Sequence, residues 1–383
     1  METLVQQSES KHKEIDSVIN KGRRVDIIQS LDRVQFSLSS KCNEHSDALS
    51  FDLEIPLTEK RMPFASSVMS NFKEDRSLQF EGTSYFLDSM YREIGGSGFV
   101  KYAQHLKNTR QVDLLEKNVN DQLRLNTKAF MLRGLQSEDG TGIMRALLST
   151  KYKRINDDVV HNIVGAIMSN NPKFKCLGGG STVKHTYVRY VTVEPILIGK
   201  RKLHFGFQWK NSEVGAGFFE LEIFMCDGYC DNGMIVNLVE IDSFKKMHRG
   251  RDNFRASFGV LSQETSYGMN REIGNAIHRV TSEDNMMRVQ ESVLSSFRMP
   301  FEGDHEKVIE QVGKRYKLSD EIVAQAIEDF DTGERHAYGL QAAFTSAAQK
   351  QSSFDLRDQI DRIGGEIIQK DKDEFDKLVV LAA

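Results

Sequence analysis

Asn211, Ser212, Glu213 and Gly215 form a short polar stretch between two runs of alternating apolar residues. Asp227, Asp231 and His248 follow in the same part of the chain. Carboxylates and a histidine at strand ends are residue types that hold a divalent ion or exchange protons with a substrate. On that chemistry the chain would be a metal-dependent phosphodiester hydrolase, with Glu213, Asp231 and His248 as ligands or acid–base groups. Cys226 and Cys230, with His204 and His248, offer a zinc-type set. No second cysteine pair accompanies them, and Cys226 continues the alternation of an apolar strand, where a small thiol packs as core. The run Gly178-Gly-Gly-Ser181 lacks the lysine of a phosphate-binding loop and reads as a hinge. Dinucleotide, nucleophile-elbow and zinc-protease motifs are absent.

The cationic residues point elsewhere. Arg145, Lys151, Lys153 and Arg154 lie close together around Tyr152. Lys200, Arg201 and Lys202 occupy a turn shortly before Trp209. Lys245, Lys246, Arg249 and Arg251 follow. The net charge of −4 conceals a segregation: residues 101–255 carry 24 basic and 16 acidic side chains, whereas residues 256–383 carry 15 and 23. Cations neutralise phosphates and aromatic faces stack on unpaired bases. These thirteen positions, with Tyr152 and Trp209 as the stacking rings, predict a track for single-stranded nucleic acid. Asn211, Ser212, Glu213, Gly215, Asn232, Gly233 and His248 would shape the loops beside it. A third reading makes the protein an interaction factor, contacting a host or phage partner through Glu321, Glu328, Asp329, Asp331 and Glu334.

The elements that must position these residues are read from periodicity. Residues 1–30 read as a polar N-terminal helix. Residues 31–127 read as a strand pair followed by a helical region, with Gly95-Gly96-Ser97-Gly98 dividing two helices. Residues 128–255 form a basic, β-rich core. It opens with a hairpin over 128–148 and a helix capped by Asn156, and continues as a meander over 185–193, 203–209 and 218–224. Residues 256–383 form an acidic helical region. Strands followed by helices give an α+β class, with a central twisted antiparallel sheet between helical N- and C-terminal regions. No window is apolar enough for a membrane span, and the polar start of the chain carries no secretion signal. Four cysteines suit a reducing cytoplasm.

Several of these segments also resemble a known family. The stretch from Arg145 to Asn156 resembles the R-A-x-L-S-x-x-Y-x-x-I-D/N segment of a phage- and plasmid-borne family of unknown function, catalogued as family 932. Asn211-Ser-Glu213 with Gly215 resembles its N-S-E-x-G turn, Cys230 to Met234 its C-x-N-G-M/L, and His248-Arg-Gly250 its H-x-G. Tyr338 to Ala348 is similar to its W-G-x-x-N-A-x-T-x-A-A, with Tyr338 for Trp and Ala342 for Asn. The likeness runs over roughly residues 55–370. A looser, architectural likeness is to phage single-strand annealing recombinases. Together they imply a phage or mobile-element DNA-binding protein that acts in the bacterial host cytoplasm. It would bind or anneal single strands as a homo-oligomer and without a nucleotide cofactor. Only the hydrolase alternative calls for a divalent metal.

Overall fold

Strand alternation builds two sheets, and charge decides what covers them. The computed structural model describes residues 4–19, 22–39, 49–56, 77–136, 142–198, 201–227, 232–236, 244–246 and 263–380. The fold is α+β, with eleven helices among the described residues. Lys200, Cys230, Asp231, His248, Arg249 and Arg251 lie outside them.

The first sheet contains β1 (Arg23–Ser30), β2 (Gln35–Leu38), β3 (Phe51–Pro56), β4 (Ser77–Gly82), β5 (Ala129–Gln136) and β6 (Gly142–Ser149), in the order β1-β5-β6-β4-β3-β2. Its pairs are antiparallel except β4 with β6. One face carries Phe36, Phe51, Leu53, Phe80 and Leu132. It packs on α2 (Ser84–Asn108) and α3 (Val112–Arg124) through Phe86, Met90, Leu115 and Val119. Thr83 caps α2, and Gly96 breaks its regularity at φ 70°. The outer edge of β2 is covered: Asn120 of α3 accepts from the Phe36 amide at 3.0 Å and donates to the Phe36 carbonyl at 2.8 Å.

The second sheet holds β7 (Phe174–Ser181), β8 (Thr186–Thr192), β10 (Arg201–Asn211), β11 (Phe219–Asp227) and β12 (Asn232–Val236), in the order β12-β11-β10-β8-β7. The short β9 (Ile196–Ile198) pairs with β10, and β13 (Phe244–Lys246) with β11. The expected meander is therefore present. Odd-numbered residues of β10 and β11, among them Leu203, Phe205, Phe207, Trp209, Leu221 and Ile223, form one face. That face buries against α1 (Leu4–Ile19), α4 (Asp157–Ser169) and α5 (Gln263–Val280). Each such side chain contributes roughly 1.5–3 kcal/mol by leaving water.

The opposite face is also covered, and here the contacts are ionic. Helix α10 (Phe354–Gln369) lies across it. Arg189 donates to Asp361 at 2.7 Å, Lys210 to Asp358 at 2.6 Å, Gln208 to Asp358 at 2.9 Å, and Arg362 to Glu222 at 2.6 Å. Helices α6 (Glu283–Phe297), α7 (His305–Arg315), α8 (Asp320–Asp329), α9 (Ala337–Gln349) and α11 (Lys372–Val379) complete the C-terminal part. Their core is built on Phe301, Val312, Leu340, Phe344 and Ile360.

Three expectations are corrected. Residues 23–30 are strand β1, not the end of a helix. Residues 174–181 are strand β7 with an irregularity between Cys176 and Gly178, not a hinge. The boundary drawn at residue 128 cuts through the first sheet, because β5 and β6 pair with strands from the preceding region. The separation at Gly95–Gly98 and the helix that begins after Asn156 match the expectation, but the Asn156 side chain accepts from Arg133 and does not cap that helix.

Candidate functional site

The N-S-E-V-G stretch leaves β10 and folds back under the first sheet. Tyr152 donates to the Ser212 carbonyl at 2.9 Å, and Ser212 Oγ accepts from the Ala216 amide at 2.9 Å. Gly215 sits at φ 78°, a left-handed conformation suited to glycine, and even a Cβ there would press on Leu148. This turn drives the Glu213 side chain into the seam between the sheets, where it is 1% exposed.

Three arginines of the first sheet converge on that carboxylate. Arg24 Nε is 2.5 Å from Oε1, Arg145 Nη1 is 2.8 Å from Oε2, and Arg133 lies at 3.9 Å. The Asp157 amide, in the first turn of α4, donates to Oε1 at 2.8 Å. Asp157 itself is buried and accepts from Thr186 at 2.7 Å and from Asn211 at 2.7 Å. Asp26 takes Arg154 at 2.8 Å and Arg133 at 3.6 Å, and Asp158 lies 3.6 Å from Arg24. Four guanidinium groups thus meet four carboxylates. Burial pushes the Glu213 pKa up, but Arg133, Arg24 and Arg145 outweigh it and hold the group well below the usual carboxylate range. Asp157 goes the other way, raised by burial and by the Glu213 charge.

This geometry corrects the role expected of several residues. The Glu213 oxygens are occupied by cations and shielded from solvent, which gives this carboxylate a structural task. Arg145 is 8% exposed and spent on Glu213, and Arg154 pairs with Asp26, so neither is free for phosphate. Tyr152 and Trp209 are 9% and 0% exposed, too buried to stack on a base. Arg201 pairs with Asp227 at 3.1 Å and also with Glu334. Lys151 and Lys202 are exposed. Lys245 and Lys246 lie in β13, and Asn232 and Gly233 in β12.

The remaining motifs also resolve into packing. Cys226 lies in an apolar cluster with Val191, Phe224 and Ile235. Tyr338 is buried, stacks on Phe297 at 4.4 Å and donates to Asp227 at 3.3 Å. Of the acidic candidates, Glu321, Glu328 and Asp331 are exposed. Asp329 instead accepts from Lys350 at 2.6 Å, and Glu334 holds Arg201.

An open groove lies beside the N-S-E-V-G turn. Two adjoining depressions of about 350 and 540 Å³ share Lys184 and Asp355 in their walls. The larger is lined also by Tyr85, His185, Lys210, Gly215 and Ala216. Lys184 Nζ stands 5.7 Å from the Tyr85 ring centre, and His185 Nδ1 is 3.0 Å from Asp355. Tyr152 packs behind the groove wall at Gly215. Sequence reasoning missed this groove, since Lys184 and Tyr85 are isolated residues in the chain. It also missed Arg24, Asp26, Arg133 and Asp157; only their position in strands or at a helix start could have marked them.

No family model matches the chain, and no curated protein or solved structure matches it.

The buried acids set a pH dependence. Burial raises Asp358, but Arg362 and Lys210 overcome it and hold the group at about 2. Asp361 is pushed up to about 6 by burial, despite Arg189. A depressed carboxylate stabilises the fold above its unfolded pKa, and that contribution is lost as pH falls towards 2. A raised one takes up its proton more readily when folded, so its contribution grows as pH falls from 6 to 4. Glu213 acts in the first sense and Asp157 in the second. Burial lowers the pKa of His161 and His336, which offsets the gain from the raised acids as pH falls from 7 to 4. Urea unfolding at a series of pH values should therefore show its steepest loss of stability between about pH 4 and 2, where Glu213 and Asp358 give up their advantage. Unchanged stability across that window would contradict this assignment.

Proposed function

We propose that the protein is a binding protein for single-stranded nucleic acid and that it uses the groove between Tyr85, Lys184 and Lys210. The observation that carries this reading is the groove's lining, in which Lys184, His185 and Lys210 share the wall with a half-buried tyrosine ring. Lys184 stands over Tyr85, and Lys210 and His185 complete the cationic part of the wall. A strand would set phosphates against these cations and a base against the ring. Lys210 and His185 already hold α10 carboxylates, so phosphate would compete with Asp358 and Asp355. The original track through Arg145, Arg201 and Trp209 is replaced by this shorter one. In this reading the protein acts as a single-strand binding or annealing factor of a phage or mobile element, self-associating in the host cytoplasm.

No helix among the described residues is long and apolar enough to cross a membrane. The buried arginine–carboxylate seam supports binding over hydrolysis, since it gives the polar motif a structural task.

Fluorescence anisotropy with a labelled oligothymidylate tests the reading. Binding should weaken steeply with salt, by about 0.7 in the log–log slope for each phosphate neutralised. Lys184→Glu should weaken it at least about tenfold at low salt. Absence of binding at low salt, or a variant that binds as tightly as the native chain, defeats it.

A further inference from the structure

We propose that His12, Asp16 and His161 form a binding site for a first-row divalent metal ion, at the contact of α1 with α4. One ring nitrogen from each histidine and one Asp16 oxygen all lie within 4.8 Å of one another. Two imidazoles and a carboxylate are a donor set that suits Zn²⁺ and its neighbours, and three protein ligands leave a coordination position for water.

Three features of the fold bring the set together. His12 and Asp16 are four residues apart on α1, so they share a helix face. His161 projects from α4 towards that face, and its ring lies against His12 at 4.2 Å; one imidazole turns out of this stack when both nitrogens face a single ion. On α4, one turn after His161, stands Gly165. A Cβ there would come within 2.9 Å of His12 Cε1 and Nε2, so the absent side chain is what admits the His12 ring. Tyr190 supports it from β8, with its hydroxyl 3.3 Å from His12 Nδ1.

The second, independent observation is the state of His161. Its side chain is 1% exposed, and neither ring nitrogen has a hydrogen-bond partner. Nε2 lies 3.3 Å from Asp16 Oδ1, near enough for attraction without forming a hydrogen bond. A buried imidazole ordinarily satisfies at least one nitrogen. A metal ion would satisfy one nitrogen of His161 and join the three side chains through one centre. This is the one such cluster of His, Cys, Asp and Glu groups among the described residues. It lies apart from the groove lining and does not depend on the nucleic-acid reading.

The experiment uses the full chain after chelator treatment and dialysis. Zn²⁺ is titrated calorimetrically and Co²⁺ by its visible absorption. The native chain should take up one equivalent, and Zn²⁺ should raise its melting temperature, since an ion that binds only the folded form stabilises it. His12→Phe keeps the stacked ring and removes the donor, while Asp16→Asn keeps the shape and removes the charge. Each should weaken binding at least about tenfold, as even outer-sphere changes at metal sites cost 10–100-fold. Their circular dichroism reports whether they fold. A native chain that takes up no Zn²⁺ and develops no Co²⁺ absorption overturns the proposal, whatever the variants do. So do folded variants that titrate like the native chain.

Discussion

Glu213→Gln should destabilise the protein by about 3–5 kcal/mol, the range for removing one partner from a buried ion cluster. The substitution preserves volume, so the loss would be electrostatic. Arg24, Arg133 and Arg145 would be left facing a neutral amide, with side-chain exposures of 14%, 1% and 10%. Water cannot take over from the lost carboxylate at these exposures, and Asp157 already has Thr186 and Asn211 as partners. Both the contact between the sheets and the start of α4 depend on Glu213, so its loss should be felt on either side of the seam. Urea denaturation with tryptophan fluorescence would measure it, Trp209 being the sole tryptophan and buried in the second sheet. A catalytic Glu213 would behave differently, since the amide would end turnover and leave unfolding almost unchanged. A loss below about 1 kcal/mol would remove the structural role assigned here.

Gly206→Ala should be as damaging for a different reason. Gly206 pairs with Val191 on one side and Phe224 on the other. A Cβ at this position would lie 1.8 Å from the Tyr190 carbonyl oxygen and 2.7 Å from Val191 Cα. Both obstacles are backbone, so no rotamer change relieves them. Strand β8 would have to move away from β10, which also displaces Arg189 and Gln208 from Asp361 and Asp358. The cost should reach about 3 kcal/mol or more, at the upper end of overpacking effects. Gly98→Ala is the matched control. Its Cβ meets nothing within 4 Å, and the position should be neutral or stabilised by up to about 1 kcal/mol. Equal stability of Gly206→Ala and the native chain would contradict the close approach of these strands.

The readable part of the fold is the part that local periodicity specifies. Alternation in 203–209 and 218–224 marked the strands and placed Trp209 on an apolar face, a sign that it was core. The helix after Asn156 and the helical C-terminal region were readable for the same reason. Strand β1 was not, because Arg-Arg-Val-Asp-Ile-Ile-Gln-Ser carries charges on a strand buried in a seam, a pattern that resembles a polar helix. Strand β7 was hidden by its glycines, which imitate a linker. They are needed there because a Cβ at Gly179 would meet the Tyr187 carbonyl oxygen at 2.4 Å. The basic clusters misled for a further reason. The partners of Arg145 and Arg154 lie 68 and 128 residues away, and those of Arg201 26 and 133, beyond any local window. The His12–Asp16 spacing was visible on one helix, but His161 joins it only through the fold.

The clasp of α10 on the second sheet bears on how the chain acquires its shape during synthesis. Arg189, Gln208 and Lys210 emerge from the ribosome 148–172 residues before the carboxylates that receive them. Until then that surface of the nascent sheet stays hydrated, its charges discouraging adhesion to neighbouring polypeptides. Closure must await α10, so this long-range step can follow only after the strands of the second sheet have been made.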